Sequence, residues 1–322
     1  MNSDPHTVPL TVDESTVRRA LPGLDLRDAL TRMFRALDSA QAVQPPQTLT
    51  LFPGDAGDFI TYLGAIADQK VFGAKLSPYI VTGGRPIITA WTALMSMETG
   101  QPLMWCDASL LTVERTAGTT ALAVEQLARP DARRLAMIGA GAVALAHLRH
   151  VAMLRDWESV RVFSPGLTDN TAKHAALHAT DARAQISASI ADCVHDADVV
   201  MLCTSSGTPV LPEHALTRPA LITSISTNVA NAHEVDPAWL PSMDVYCDYA
   251  RTTPASAGDM KLAAQHHGWS SAQLAGDLPG LVNGTCAKPS YQRHAYFRSI
   301  GLGLEDVAIA YELYRHLTRE GV

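Results

Sequence analysis

Residues 134–148 read RLAMIGAGAVALAHL, an apolar run that breaks at Gly139 and resumes as an alanine-rich stretch. The first part is a buried strand and the last a helix, and between them stands Gly139-Ala140-Gly141-Ala142-Val143-Ala144, a GxGxxA turn. In such a turn the first glycine permits the tight bend and the second lets a pyrophosphate approach the backbone. The small third residue lets the helix pack on the strand. The free N–H groups that open the helix then face the phosphates, helped by the helix dipole. A purely structural glycine turn is the competing reading, and the flanking sequence argues against it. "SVRVFS" is a second strand, "DNTAKHAALHAT" a helix and "AQISASI" a third strand, and "ADVVMLCTS", "ALITSIS" and "DVYCD" are further apolar strands. Apolar strands alternating with helices specify a parallel sheet covered on both faces. Gly139, Gly141, Ala142 and Val143 are therefore candidates for holding a dinucleotide.

The second strand ends at Phe163-Ser164, where NAD-specific sites place an acid for the ribose 2′-hydroxyl. Ser164 carries no charge to repel a 2′-phosphate and has a hydroxyl to donate to it. NADP(H) is favoured over NAD(H) on this ground, although the nearest downstream cation is Lys173, which serves equally well to solvate a helix face.

Outward from this unit the texture changes. Ser15 is a candidate N-cap, and Leu26 to Ala40 carries Leu26, Leu30, Phe34 and Leu37 at helical spacing. After Pro45-Pro46 come "QTLTLF", "DFITYLGAIAD", "KVFGAKLSPYIV", "PIITAWTALMS" and "PLMWCDAS", short runs divided by Gly and Pro that predict an antiparallel sheet. "TAGTTALAVEQLA", from Thr116 to Ala128, predicts a helix ending before Pro130, with Arg115 at its beginning. "SIGLGLEDVAIAYELYRHLTRE" ends the chain in another helix.

At 322 residues the chain exceeds one ordinary core, so two domains are expected. A net charge of −7, spread along the chain, excludes a broad nucleic-acid surface and leaves a small-molecule partner by elimination. Five scattered cysteines without a CxxC pair read as buried free thiols of a reducing compartment. The N-terminus has no secretory pattern and no stretch is long and apolar enough to span a membrane, so a cytoplasmic location is the expectation. None of the twelve histidines belongs to a ligand set, and no metal is assigned.

The stretches "GAKL", "ETGQPLMWCDASLLTVERTAGTTALA", "MIGAGAVALAHL", "ISTNVANAHEVD" and "SIGLGLEDVAIA" together resemble the ornithine cyclodeaminase/mu-crystallin family. The resemblance implies an α/β protein in which a Rossmann domain with a doubly wound parallel sheet is inserted into an α+β domain. Residues 119–297 would bind NAD(P), and residues 1–118 with 298–322 would bind substrate and dimerise. It further implies a homodimer and a small imino or amino acid as substrate.

On that resemblance, Lys75 in "VFGAKLSPYI" meets a substrate carboxylate or imine nitrogen; taken alone it reads as an edge-strand lysine reaching for water. Arg115, placed beside free helix N–H groups, reads as a carboxylate clamp, with a surface ion pair to Glu114 or Glu125 as its rival. Thr119 is a cofactor contact or a helix-surface hydroxyl. Thr204 and Ser205, at a strand end where ligands gather, face the cofactor or simply shape a loop. Ser299 and Gly301 return to the cofactor, Ser299 also as a substrate contact. Asp306 either joins them or favours the start of the last helix. Three departures from the family pattern stand out. Asn228 replaces the aspartate of cyclodeaminases and cannot act as a general base, though it keeps its place among the catalytic and cofactor-contacting candidates. Ala232 replaces a lysine. Gln47 replaces an arginine that holds the substrate carboxylate, with Arg85 a possible substitute. The reading is NAD(P)H-dependent reduction of a cyclic imino acid of the Δ1-pyrroline-2-carboxylate or Δ1-piperideine-2-carboxylate type. The alternatives are ornithine cyclodeamination, amino-acid dehydrogenation of the alanine type, and low-turnover binding of NADPH and a small ligand.

Overall fold

The computed structural model describes residues 8–227 and 231–320. The chain divides into two compact units, residues 1–115 with 302–322 and residues 116–301.

The first unit is built on strands β1 (Leu10–Val12), β2 (Ala42–Val43), β3 (Thr48–Leu51), β4 (Gly57–Ile66), β5 (Val71–Ile80), β6 (Ile87–Ile88), β7 (Trp91–Ser96) and β8 (Pro102–Asp107). Their order is β1-β8-β7-β5-β4-β2, with β3 on β4 and β6 on β5, and every pairing but β1 with β8 is antiparallel. The run "PIITAWTALMS" is thus two strands, β6 and β7, parted at Thr89-Ala90. Alternation sends Val71, Gly73 and Lys75 to one face of β5 and Phe72, Ala74 and Leu76 to the other.

The helix Gly303–Glu320 lies against the first of these faces, packing on β4, β5 and β7. Glycine makes its approach possible. A Cβ on Gly303 would meet the Leu63 backbone N at 2.4 Å, and one on Gly64 would meet the Leu304 Cα at 2.7 Å. Behind it packs the amphipathic helix Leu26–Asp38, N-capped by Asp25, which accepts from Asp28 N at 3.0 Å. Leu30, Met33 and Phe34 on its inner stripe are fully buried.

The second unit carries strands β9 (Arg134–Ile138), β10 (Ser159–Phe163), β11 (Ala184–Ile186), β12 (Val199–Leu202), β13 (Leu221–Ser224), β14 (Asp244–Cys247), β15 (Leu274–Asp277) and β16 (Ala295–Arg298). All pair in parallel, in the order β11-β10-β9-β12-β13-β16-β14-β15. The chain runs outward from β9 to β11, then returns across β9 to continue from β12. Parallel units of this kind cross over right-handed, so helices on the two sides of β9 fall on opposite faces, which is the doubly wound Rossmann arrangement. Every residue of β12, β13, β14 and β16 is buried, as a sheet covered on both sides requires.

No helix among the described residues is long and apolar enough to cross a membrane.

Candidate active site

The reversal of strand order falls between β9 and β12, and the crevice at their carboxyl ends is where ligands of such sheets bind. Gly139 leaves β9 with φ +122°, and a Cβ there would meet the Cys203 carbonyl oxygen at 2.3 Å. Only glycine fits. Gly141 then N-caps the helix Ala142–Ala152 and brings no side-chain capping bond to its first N–H groups. A Cβ on Gly141 would meet nothing within 4 Å, and Gly141 and Ala142 are exposed while Ala144 is buried against the strand. An exposed, uncapped, positively poled helix start fits a pyrophosphate. Ser164 follows β10 and is half-buried.

Thr119 belongs to the helix Ser109–Leu127, and its buried Oγ1 has no hydrogen-bond partner among the described residues. His147 is a core residue. Its ring nitrogens lie 2.7 Å from Val143 O and 3.1 Å from Thr120 Oγ1. Among the described residues no group of three His, Cys, Asp or Glu side chains could hold a metal.

The walls of the crevice are held by acids that the sequence did not single out. The Glu234 carboxylate, fully buried, accepts from Thr204 N at 2.9 Å, Thr204 Oγ1 at 2.7 Å, Ser224 Oγ at 2.8 Å, and Ile225 N and Ser226 N at 3.0 Å. Thr204 Oγ1 also accepts from Ser206 N at 3.0 Å. The Thr204 side chain is therefore spent on the loop itself, and the exposed Ser205 is the residue this turn offers outward. Asp248 does the same for the end of β16, accepting from Ser299 Oγ at 3.1 Å, Ile300 N at 2.7 Å and Gly301 N at 3.0 Å. Burial pushes its carboxyl up, opposed by these bonds. Ser299 thus directs its hydroxyl to Asp248, and Gly301 takes a left-handed φ of +76°. Asn228 lies outside the described residues.

The first unit holds a buried charge cluster. Lys75 Nζ lies 2.9 Å from Asp306 Oδ2, 3.4 Å from Thr112 Oγ1 and 4.2 Å from the centre of the Tyr62 ring. Lys75 is 1% exposed on an interior strand rather than an edge. Arg115 Nε lies 3.1 Å from Asp306 Oδ1, and its Nη1 is 3.1 Å from Glu305 Oε2. Here the expectation for Arg115 is corrected. The helix begins at Ser109, not Thr116, so Arg115 sits in its second turn, past the free N–H groups, and its partners are Asp306 and Glu305 rather than Glu114 or Glu125. Asp306 is in the first turn of the last helix and also bridges the two cations. Burial pushes Lys75 down to about 8, opposed by Asp306 and reinforced by Arg115. Burial works against Arg115 as well, but the two acids hold its guanidinium above the ordinary arginine value.

Gln47 immediately precedes Thr48, the partner of Thr61, and so continues the row in which Tyr62 faces Lys75 and Lys75 faces Thr92. Its Oε1 is buried with no hydrogen-bond partner among the described residues. Arg85 lies in the exposed turn between β5 and β6, off that row.

The family model for the ornithine cyclodeaminase/mu-crystallin family matches residues 10–321. The chain belongs to that family. It is 52% identical over 307 residues to the NAD(P)H-dependent anabolic L-arginine dehydrogenase DauB of Pseudomonas aeruginosa, covering 95% of this chain and 97% of the relative. It is 25% identical to a Delta(1)-pyrroline-2-carboxylate reductase of Bacillus cereus over 74% of each chain. The solved structure of a probable ornithine cyclodeaminase from Bordetella pertussis superposes with a TM-score of 0.87 at 28% identity, over 98% of both chains. The family member described here is an NAD(P)-dependent oxidoreductase acting on carbon–nitrogen bonds.

Proposed function

We propose that this enzyme reduces the 2-imino acid formed from an open-chain basic 2-oxo acid and ammonia, giving the L-amino acid of the arginine class. The observation that carries this reading is the 52% identity, over nearly the whole length, to a dehydrogenase of arginine. The buried Lys75–Asp306–Arg115 bridge supports it from the chemistry, because two fixed cations orient a carboxylate and so the adjoining C=N bond. The nicotinamide, when bound, supplies a hydride to the imine carbon. Lys75, with a lowered affinity for its proton, delivers one to the nitrogen or screens the charge there. Neither step needs a carboxylate base, consistent with Asn228 in place of aspartate.

Gly139, Gly141, Ala142 and Val143 would hold the pyrophosphate, Ser164 the adenosine ribose with NADP(H) preferred, and Thr119, Ser205 and Gly301 the nicotinamide half. Thr204 and Ser299 contribute by shaping their loops. Reduction of a cyclic imino acid is the second reading, favoured by the likeness to the pyrroline-2-carboxylate reductase.

A homodimer is part of the same proposal. The sheet face opposite Lys75 leaves Leu63, Phe72, Leu76 and Trp105 between 37% and 42% exposed, around a Trp91–Trp105 stack with centroids 5.6 Å apart. An apolar face of this kind marks an association surface, and a second copy of the chain is its occupant.

The deciding experiment follows NADPH and NADH oxidation with ammonia and a panel of 2-oxo acids, beside preformed cyclic imines without ammonia. Ammonia-dependent turnover of 2-oxo-5-guanidinopentanoate is the expected result. Turnover of the cyclic imines alone would overturn it.

A further inference from the structure

An ammonium carries three donors, and Lys75 finds two oxygens for them among the described residues, Asp306 Oδ2 at 2.9 Å and Thr112 Oγ1 at 3.4 Å. Thr92 Oγ1, opposite Lys75 on β7, is buried without a hydrogen-bond partner among those residues and does not take the third. Nζ lies instead over the Tyr62 ring, 4.2 Å from its centre. Tyr62 reaches that place because it stands directly opposite Lys75 in the β4–β5 register, where the two side chains share one face of the sheet.

A ring face attracts the charge of an ammonium without fixing the direction of any one N–H, and the attraction is strongest where water is excluded. Lys75 is 1% exposed. Its charged form is opposed by burial and by Arg115, and supported by Asp306 and Glu305. Burial holds the Tyr62 phenol protonated, pushed up to about 12, and does the same for the Cys106 thiol on β8. Tyr62 therefore adds no charge to the cluster, and what it presents to Lys75 is its ring.

We infer that Tyr62 is a positioning residue for Lys75, its ring holding the ammonium in the charged form while leaving one N–H uncommitted for the substrate. The use of that N–H by a substrate rests on the function proposed above; the hold on the charge does not.

The test follows the titration of Lys75 itself, by NMR of the full-length protein carrying 13C at lysine Cε, with Lys75→Met assigning the signal among the five lysines. Tyr62→Phe keeps the ring, whereas Tyr62→Leu and Tyr62→Met fill the space without one. Tyr62→Phe is expected to keep the wild-type midpoint near 8, and the two aliphatic variants to lower it by about one pH unit or more. The alkaline limb of kcat/KM for 2-oxo-5-guanidinopentanoate with ammonia is expected to move with the midpoint. An unchanged or raised midpoint in the aliphatic variants, an equal fall in Tyr62→Phe, or a limb that stays while the midpoint moves would overturn the role of Tyr62. Should one aliphatic variant fail to fold, the other decides. If no 2-oxo acid is turned over while the midpoints move as expected, the proposed reaction fails and the hold of Tyr62 on Lys75 stands.

Discussion

Lys75 Nζ and Asp306 Oδ2 are 2.9 Å apart, and both side chains are almost completely buried. Burial disfavours the ammonium by more than the carboxylate restores, so Lys75 exchanges its proton near pH 8 instead of at its ordinary 10.5. The protonated form is the one that attracts a carboxylate and can give up a proton. As pH rises through about 8 that form is lost, so kcat/KM should fall on the alkaline side with a midpoint near 8. Lys75→Arg should remove this limb from the accessible range, because a guanidinium keeps its charge. A limb unmoved by that substitution would assign it to another group.

Asp306 serves two cations at once, one oxygen each, and its loss leaves both short of a partner. Removing one member of a buried ion pair costs about 3–5 kcal/mol, far more than a surface pair. Asp306→Asn should lower stability by that amount in urea unfolding. The combination with Lys75→Met should recover part of the loss, because the uncompensated ammonium is gone. A loss under about 1 kcal/mol would show that the cluster adjusts at little cost.

What the sequence disclosed and what it hid divide along the same line, that of distance in the chain. The Gly139 turn and the strand carrying Lys75 are local patterns, and the residues that make them are neighbours. The helix begins at Ser109, ahead of the alanine-rich run from Thr116 by which the sequence marks it. The carboxylates facing Arg115 come from 190 and 191 residues away, beyond any spacing rule. Thr204 reads in the sequence as a residue at a strand end and Ser299 as a cofactor and substrate contact, and the fold turns both hydroxyls inward, to Glu234 and Asp248. Only the folded chain reveals which acid a hydroxyl has found.

The two glycines of the nucleotide turn should fail differently. Gly139→Ala combines a positive φ with a contact at 2.3 Å to the Cys203 carbonyl oxygen, so the fold itself should suffer, seen as a lower Tm without any ligand. At Gly141 a methyl meets no protein atom within 4 Å. Gly141→Ala should keep the wild-type Tm and lose about ten-fold or more in NADPH affinity by fluorescence titration, because the methyl occupies the pyrophosphate's approach. Wild-type affinity in Gly141→Ala would move the coenzyme away from this turn.

Glu234 receives five donors and offers none, a pattern only a carboxylate meets. Glu234→Gln is nearly isosteric but turns an NH2 group toward at least one existing donor. The ends of β12 and β13 should loosen, raising KM for the dinucleotide with a smaller change in kcat. Equal effects on both constants would point to general destabilisation instead.

Ser164 stands where an acid would read the ribose 2′-hydroxyl. A carboxylate there accepts hydrogen bonds from a free ribose and repels a 2′-phosphate, whereas a neutral serine hydroxyl has no charge to repel the phosphate and can donate to it. Ser164→Asp should therefore raise KM for NADPH about ten-fold or more and lower that for NADH, reversing the proposed preference while kcat with either coenzyme stays close to wild type, since the adenosine end is remote from the hydride. Should the substitution raise both constants alike, Ser164 would be a loop residue that the ribose never reaches.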